Sequence, residues 1–410
     1  MSFVARRLAA FSTAMILLAS SQGSIAFAQK KYDTGASDTE IRVGNIMPYS
    51  GPASAYGIIG RTEAAYFSKL NAEGGINGRK VTFISYDDAY SPPKAVEQAR
   101  KLVESDGVLL IFQSLGTPSN TAIQKYMNEK RVPQLFVASG ATKWNDPQHF
   151  PWTMGLQPNY QSEARIYAKY ILRAKPNGKI AILYQNDDYG KDYLKGLKDG
   201  LGDRADSMIV AEDAYDIAEP TIDSHIVKMR SLNADVFVDI AGPKFAAQAI
   251  RKAAELGWKP LHILNNVSAS VGAVMKPAGL EASQGIISSR YFKDPSDPRW
   301  KDDPDMKAWN EFLDRYYPDA NRADSTVIYG YIQAQALEHV LRACGDNLTH
   351  ENVMKQAASL KDVELSGLLP GIKLNTSATD FAPISELELT RFKGETWEEF
   401  GGIVSADVSE

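Results

Sequence analysis

The 410-residue sequence has one cysteine, Cys344, and five histidines, and past its first two dozen residues it has no long apolar run. A single cysteine excludes an intramolecular disulfide and any zinc site built on paired cysteines. The histidines are His149, His225, His262, His339 and His350, and no two of them stand at His-x-x-x-His spacing, which excludes a helical zinc-protease motif. There is no Gly-x-Ser-x-Gly nucleophile elbow. There is no phosphate-cradling loop either, since Gly57-Ile-Ile-Gly60-Arg-Thr62 copies only part of one. An excess of charge of one sign is also missing. Forty-five Lys and Arg against 50 Asp and Glu leave a net −5, which gives no electrostatic reason to coat nucleic acid. What remains is ordinary: 44% hydrophobic and 23% charged residues exclude a disordered, collagen-like or coiled-coil chain. At ~150 residues per domain the length predicts two or three domains.

The first 28 residues carry the pattern of an export signal. Arg6 and Arg7 precede an apolar stretch from Leu8 to Ala19, and Ala26-Phe27-Ala28 supplies small-x-small spacing ahead of Gln29. The apolar stretch is shorter than the ~20 residues that span a bilayer. No cysteine near the cleavage point offers a lipid attachment site. The expected mature protein starts at residue 29, outside the cytoplasm, soluble and not lipid-anchored.

From Ile41 onward strands and helices alternate. The pattern predicts strands over 41–47, 80–86, 108–112 and 134–138, with helices over 57–73, 93–105 and 119–129 between them. Gly74-Gly75 ends the first helix and prolines open the second. The rhythm then repeats, with strands over 179–184, 208–211, 235–240 and 261–264 and helices over 190–201, 221–232 and 245–256. Two successive βαβα blocks imply two parallel sheets covered by helices. Helices over 305–317, 325–344 and 351–361 follow, and the alternation at 384–392 predicts an edge strand or hairpin arm. The carboxylate pairs Asp87-Asp88 and Asp187-Asp188 follow strands, where such pairs most often cap turns and helices.

In an open parallel sheet, ligands bind outside the carboxyl ends of strands. Three loops there mix small residues, hydroxyls and a helix start: Pro48 to Gly57, Gln113 to Asn120, and Ser139 to Trp144. Backbone N–H groups at a helix start favour an anion, and the scarcity of Lys and Arg in these loops suits a carboxylate better than a phosphate. N-capping alone is the plainer use of these hydroxyls.

The same segments carry a resemblance. Ile41-Arg-Val-Gly, Ser50-Gly-Pro, Tyr56-Gly57, Glu73-Gly-Gly-Ile-Asn-Gly78, Tyr86-Asp-Asp-Ala89, Ala138-Ser-Gly-Ala-Thr142 and Asp188-Tyr-Gly190 occur in this order. Together they resemble the leucine/isoleucine/valine-binding proteins, periplasmic receptors of branched-chain amino-acid ABC importers. The resemblance implies an α/β fold of two Rossmann-like lobes, a Venus-flytrap of the type I periplasmic binding protein class. Lobe 1 would comprise 29–156 and 290–369, and lobe 2 would comprise 157–289 and 370–410. Crossovers would lie near 155–158, 288–291 and 368–372, and the lobes would close on a ligand by hinge motion. It implies no catalysis, no cofactor and no metal. The partners would be a small-molecule solute and permease subunits of the inner membrane, with no nucleic acid and a monomeric state. Family members hold the ligand carboxylate with first-lobe hydroxyls and amides, here matched by Gly116 and Thr117 and by Ser139, Gly140, Ala141 and Thr142. Tyr56 matches a cleft tyrosine, and Tyr189 matches the tyrosine that covers the ligand.

The departures bear on the ligand. The acidic residue that neutralises an α-ammonium in this family falls in Leu264-Asn-Asn-Val267, at Asn266, and no acid follows until Glu281. A second cleft tyrosine is replaced by the Ala241-Gly-Pro243 turn. A buried ammonium without a carboxylate costs several kcal/mol. The expected ligand is therefore a carboxylic acid without an α-amino group, aromatic or medium aliphatic, with Tyr56, Trp144, Tyr160, Tyr189 and Tyr291 available to stack on a ring. The alternatives are a branched-chain amino acid or short amide, and, in another class, a ligand sensor that signals to a membrane receptor.

Overall fold

The computed structural model describes residues 30–405. The export signal expected over 1–28 lies outside the described residues. Residues 31–405 form one compact body.

The first sheet is built from β1 (Glu40–Met47), β2 (Lys80–Asp87), β3 (Leu110–Phe112), β4 (Gln134–Val137) and β5 (Thr153–Gly155), in the order β2-β1-β3-β4-β5 and parallel throughout. The second takes β6 (Ile180–Gln185), β7 (Ile209–Tyr215), β8 (Val236–Ile240), β9 (Leu261–Leu264) and β10 (Ile287–Arg290), in the order β7-β6-β8-β9-β10. The two orders are the same, so the fold is one architecture used twice. Each sheet has its switch point where the order reverses, between β1 and β3 and between β6 and β8. The hairpin arm predicted by the alternation at 384–392 joins this second sheet. A hairpin of β11 (Glu386–Lys393) and β12 (Thr396–Ser405) adds antiparallel beside β10, with β12 at the edge.

Helices cover both sheets: α1 (Gly57–Ala72), α2 (Pro92–Arg100), α3 (Thr117–Lys130), α4 (Tyr160–Ala174), α5 (Asp188–Leu201), α6 (Asp223–Ser231), α7 (Pro243–Glu255), α8 (Pro304–Tyr316), α9 (Ser325–Cys344) and α10 (His350–Ala357). Close packing sets where glycine stands. A β-carbon on Gly330 of α9 would lie 3.0 Å from the Ile59 carbonyl of α1. One on Gly196 of α5 would lie 2.4 Å from Gln161 Cα of α4. Strands buried on both faces, such as Leu110–Phe112 and Val236–Ile240, form the centre of the core.

The chain leaves the first sheet after Gly155 and reaches the second through α4. It departs the second sheet after Arg290 for α8 and α9, and α9 packs on α1 beside the first sheet. It returns to β11 after Ile372. The outgoing and returning segments run antiparallel, with Lys293 N–H donating to Gly367 O (2.8 Å) and Leu369 N–H to Tyr291 O (3.0 Å). Four elements were not expected from the sequence pattern: β5, α4, β10 and β12. Of these, β10 keeps residues 288–290 within the sheet.

Candidate functional site

All ten parallel strands send the loop beyond their carboxyl end to one cavity of about 90 Å³ between the two sheets. From the first sheet come Pro52, Ala53 and Tyr56 after β1, Tyr90 after β2, Leu115, Gly116 and Thr117 after β3, Ala138 after β4, and Gln157 and Tyr160 after β5. From the second come Gln185 and Tyr189 at β6, Ile217 after β7, Gly242, Pro243 and Phe245 after β8, Asn266 and Val267 after β9, and Tyr291 and Phe292 after β10. Ile59 of α1 and Ser325, Thr326 and Tyr329 of α9 complete the wall. The volume corresponds to roughly six to nine water-sized units. That is the size of a small ring acid or of an amino acid, so chemistry rather than size must choose between them.

The chemistry is one-sided. Aromatic rings supply much of the wall, and among the described lining residues none is Asp, Glu, Lys, Arg or His. Helix starts supply the polarity. α3 and α7 both open on a glycine, Gly116 and Gly242, with a proline in the first turn and no side-chain cap. Their first-turn N–H groups are thus left to solvent or ligand. By contrast α4, α5 and α9 are capped by the side chains of Asn159, Asp187 and Asp324.

Local geometry fixes the walls. Asp87 accepts from Tyr49 N–H (2.9 Å), Ser50 N–H (3.2 Å) and Ala89 N–H (2.8 Å), and Asp88 accepts from Tyr90 N–H (2.8 Å) and Ser119 Oγ (2.7 Å). This turn holds Ala89 and Tyr90 at φ 50° and 59°, a left-handed conformation that costs side-chain-bearing residues free energy. Gly116, at φ 97°, lets the Tyr90 ring in, since a β-carbon there would lie 2.5 Å from Tyr90 Cε2. Tyr329 OH donates to Gln157 Oε1 (3.2 Å), and Gln157 Nε2 donates to Tyr160 OH (3.2 Å). Tyr160 in turn stacks on Tyr193 at 4.5 Å between ring centres.

The two sheets' loops are bonded to each other around the cavity. Tyr56 OH donates to Val267 O (3.1 Å), Gln185 Nε2 to Tyr90 OH (3.4 Å) and Ser270 Oγ to Asp324 Oδ1 (2.8 Å). Lys143 pairs with Asp188 at 2.7 Å. The conformation described is thus one in which the cleft is closed.

Five of the nine residues expected from the sequence line this cavity: Tyr56, Gly116, Thr117, Tyr189 and Asn266. Ser139 lies behind Thr117, their hydroxyls 2.8 Å apart, and accepts from Trp144 Nε1 (2.9 Å) and Ala141 N–H (3.2 Å). Gly140 accepts from Tyr160 N–H through its carbonyl (2.7 Å). Thr142 turns away from the cavity, and its N–H and hydroxyl both donate to Asp192 Oδ2 (2.8 and 2.9 Å). Trp144 is buried beneath Ser139 and does not line the wall.

The acid nearest to Asn266 faces elsewhere. Glu163 of α4 accepts from Asn266 N–H (2.8 Å), Tyr167 OH (2.6 Å) and Tyr193 OH (2.8 Å). Burial pushes its carboxyl up to about 7, against the pull of these donors. Tyr189 is 5% exposed, and its hydroxyl has no hydrogen-bond partner among the described residues. Burial raises its phenol well above the ordinary value, so it stays a neutral donor. Among the described residues, no cluster of three His, Cys, Asp or Glu is arranged to hold a metal, and no helix is long and apolar enough to cross a membrane.

A family model described as periplasmic binding protein matches residues 40–396. The chain belongs to the periplasmic binding protein family. Within it this binding protein falls in the leucine/isoleucine/valine-binding branch, whose members are solute-binding components of ABC transport. It is 28% identical over 272 residues to the leucine-specific-binding protein of Salmonella typhimurium, covering 64% of this chain and 71% of that protein. It is 26% identical over 339 residues to Leu/Ile/Val-binding protein homolog 2 of Brucella abortus, covering 80% and 86%. A branched-chain amino acid ABC transporter protein from Thermus thermophilus, solved with bound valine, superposes with TM-score 0.80 at 17% identity, covering 90% of this chain and 97% of that one. A solute-binding protein from R. palustris, solved with benzoate, superposes with TM-score 0.74 at 20% identity, covering 89% and 98%. The fold therefore accommodates amino acids and ring acids alike, and the ligand must be argued from the lining.

Proposed function

We propose that this protein captures a small carboxylic acid lacking an α-amino group, aromatic or medium aliphatic, and delivers it in the periplasm to the permease subunits of an ABC importer. The observation that carries this reading is a cavity rich in aromatic rings and, among the described residues, without a charged side chain. An α-ammonium there would be buried with no carboxylate against it, at a cost of several kcal/mol. A carboxylate fares differently. The uncapped starts of α3 and α7 each carry about half a positive charge, together about one, which matches a carboxylate. Gly116 and Thr117 sit at the first of these starts and Gly242 at the second. Tyr56, Tyr160, Tyr189 and Tyr291 then supply faces for a ring or chain. Lobe 1, residues 29–156 and 290–369, and lobe 2, residues 157–289 and 370–410, would close on the acid, and the monomer in that form would present itself to the permease.

A second reading, a branched-chain amino acid, is favoured by the names of the relatives. It requires another group to neutralise the ammonium, and Glu163, the nearest acid, already accepts three hydrogen bonds away from the cavity.

The test is a thermal-shift panel with the Asn266→Glu variant beside the wild type. A ligand at 100 times its dissociation constant adds ~2.7 kcal/mol of stability. Benzoate-type and medium-chain acids should raise the wild-type midpoint and leave that of the variant unmoved, while leucine and valine stay silent on the wild type. Stabilisation of the wild type by leucine or valine, with the acids silent, would overturn the proposal.

A further inference from the structure

We infer that the ligand carries a second, neutral polar group, such as a hydroxyl, at the end away from its carboxylate, and that Tyr189 and Asn266 read it. This rests on the proposed reading of the cavity as an acid site. If the carboxylate lies at the first-turn N–H groups of α3 and α7, the rest of the wall should be satisfied without help. The other polar side chains there mostly are: Thr117 pairs with Ser139, Gln157 with Tyr160 and Tyr329, and Gln185 with Asp187 and Tyr215.

Four lining side chains make no hydrogen bond to the described residues, those of Tyr189, Asn266, Tyr291 and Ser325, and of these the Tyr189 hydroxyl alone is sealed from solvent. The Tyr189 hydroxyl is buried on the cavity wall and has no partner among the described residues. Its ring is fixed by edge-to-face contacts with Tyr160 (5.4 Å) and Tyr193 (5.6 Å), so the hydroxyl cannot easily swing away to find one. Asn266 also lines the cavity, and its backbone N–H is anchored on Glu163 at 2.8 Å. Its side-chain amide forms no hydrogen bond with the described residues. A buried donor left without a partner costs as much as a lost hydrogen bond, so a purely apolar ligand tail would leave that cost standing. A hydroxyl can accept from the phenol and donate to the amide oxygen. An ammonium cannot accept from the phenol, and a second carboxylate would meet no positive side chain on this wall.

The experiment is titration calorimetry of the mature protein with two matched pairs: benzoate against 4-hydroxybenzoate, and hexanoate against 6-hydroxyhexanoate. In at least one pair the hydroxylated acid should bind about tenfold more tightly. Tyr189→Phe, which keeps the ring contacts, should erase most of that difference, and Asn266→Leu should reduce the difference as well. Equal affinities within both pairs would overturn the inference while leaving the acid reading intact. So would a Tyr189→Phe loss of equal size for both members of a pair, because the phenol would then be serving the carboxylate. Binding of none of the four acids would overturn the acid reading, and this inference with it.

Discussion

Glu163 ties the fold's stability to pH, and its replacement by glutamine isolates that link. The carboxyl is 1% exposed, and burial raises it from 4.5 to about 7. In the unfolded chain the same carboxyl ionises near its ordinary value. Between pH ~4.5 and ~7 the unfolded state has therefore lost a proton that the folded state still holds. Stability falls as pH rises through this window, by up to ~1.4 kcal/mol per unit, or about 3 kcal/mol in all, and levels off above the folded value. The stabilising contribution is thus complete below pH ~4.5 and gone above ~7. Glutamine is nearly isosteric, can accept from Tyr167 OH and Asn266 N–H through its oxygen, and has no titration. Urea unfolding of wild type and Glu163→Gln at pH 4.5, 6 and 8 gives the stability difference at each pH. That difference should shift by about 3 kcal/mol in favour of the variant between the ends of the series. Parallel curves would refute the reasoning, because they would mean that the carboxylate keeps its ordinary ionisation in the folded protein.

Two further substitutions probe the cavity walls. Gly116→Ala forces a β-carbon into a left-handed backbone and against Tyr90 Cε2, and should cost about 2 kcal/mol by chemical denaturation while weakening binding of whichever acid the wild type takes. Unchanged stability and affinity together would show that Tyr90 is free to move. Thr142→Val removes a hydroxyl bonded to Asp192 across the closed cleft, at ~1.5–3 kcal/mol for a hydrogen bond to a charge. Calorimetry over several ligands should show the same loss, about tenfold or more, for each of them. A loss confined to one ligand would mean that Thr142 touches it.

Much of the fold was legible because the sequence obeys simple periods. The strand at Glu40–Met47, the helix stopped by Gly74-Gly75 and the 20-residue α9 all stand where the apolar spacing puts them. α4 escaped notice because Arg165, Lys169 and Arg173 interrupt it, although Asn159 as its cap and Tyr160, Ala164, Tyr167, Ala168 and Ile171 as its buried face are a helical signature. β10 was hidden by Ser288 and Ser289, buried hydroxyls that read as loop. The cavity followed from topology, since ligands gather beyond strand ends. Its detailed wall did not. Tyr329 arrives from a helix two hundred residues downstream of β3, and Thr142 is drawn outward by an aspartate on another element. Tyr90 depends on two consecutive left-handed residues that no pattern announces. The absence of an acid at Asn266 was visible in the sequence. The unpartnered Tyr189 hydroxyl could only be found in three dimensions.

The central claim is that this cavity accepts the carboxylate of its ligand and excludes an α-ammonium. The most direct measurement compares ligands that differ in that group alone: leucine against 4-methylpentanoate, and phenylalanine against 3-phenylpropanoate, by calorimetry on the mature protein. The account predicts that within a pair the acid without the amino group binds at least a hundredfold more tightly, the equivalent of ~2.7 kcal/mol and less than the full cost of an unpaired buried cation. Tighter binding of leucine or phenylalanine than of its deaminated partner would contradict it.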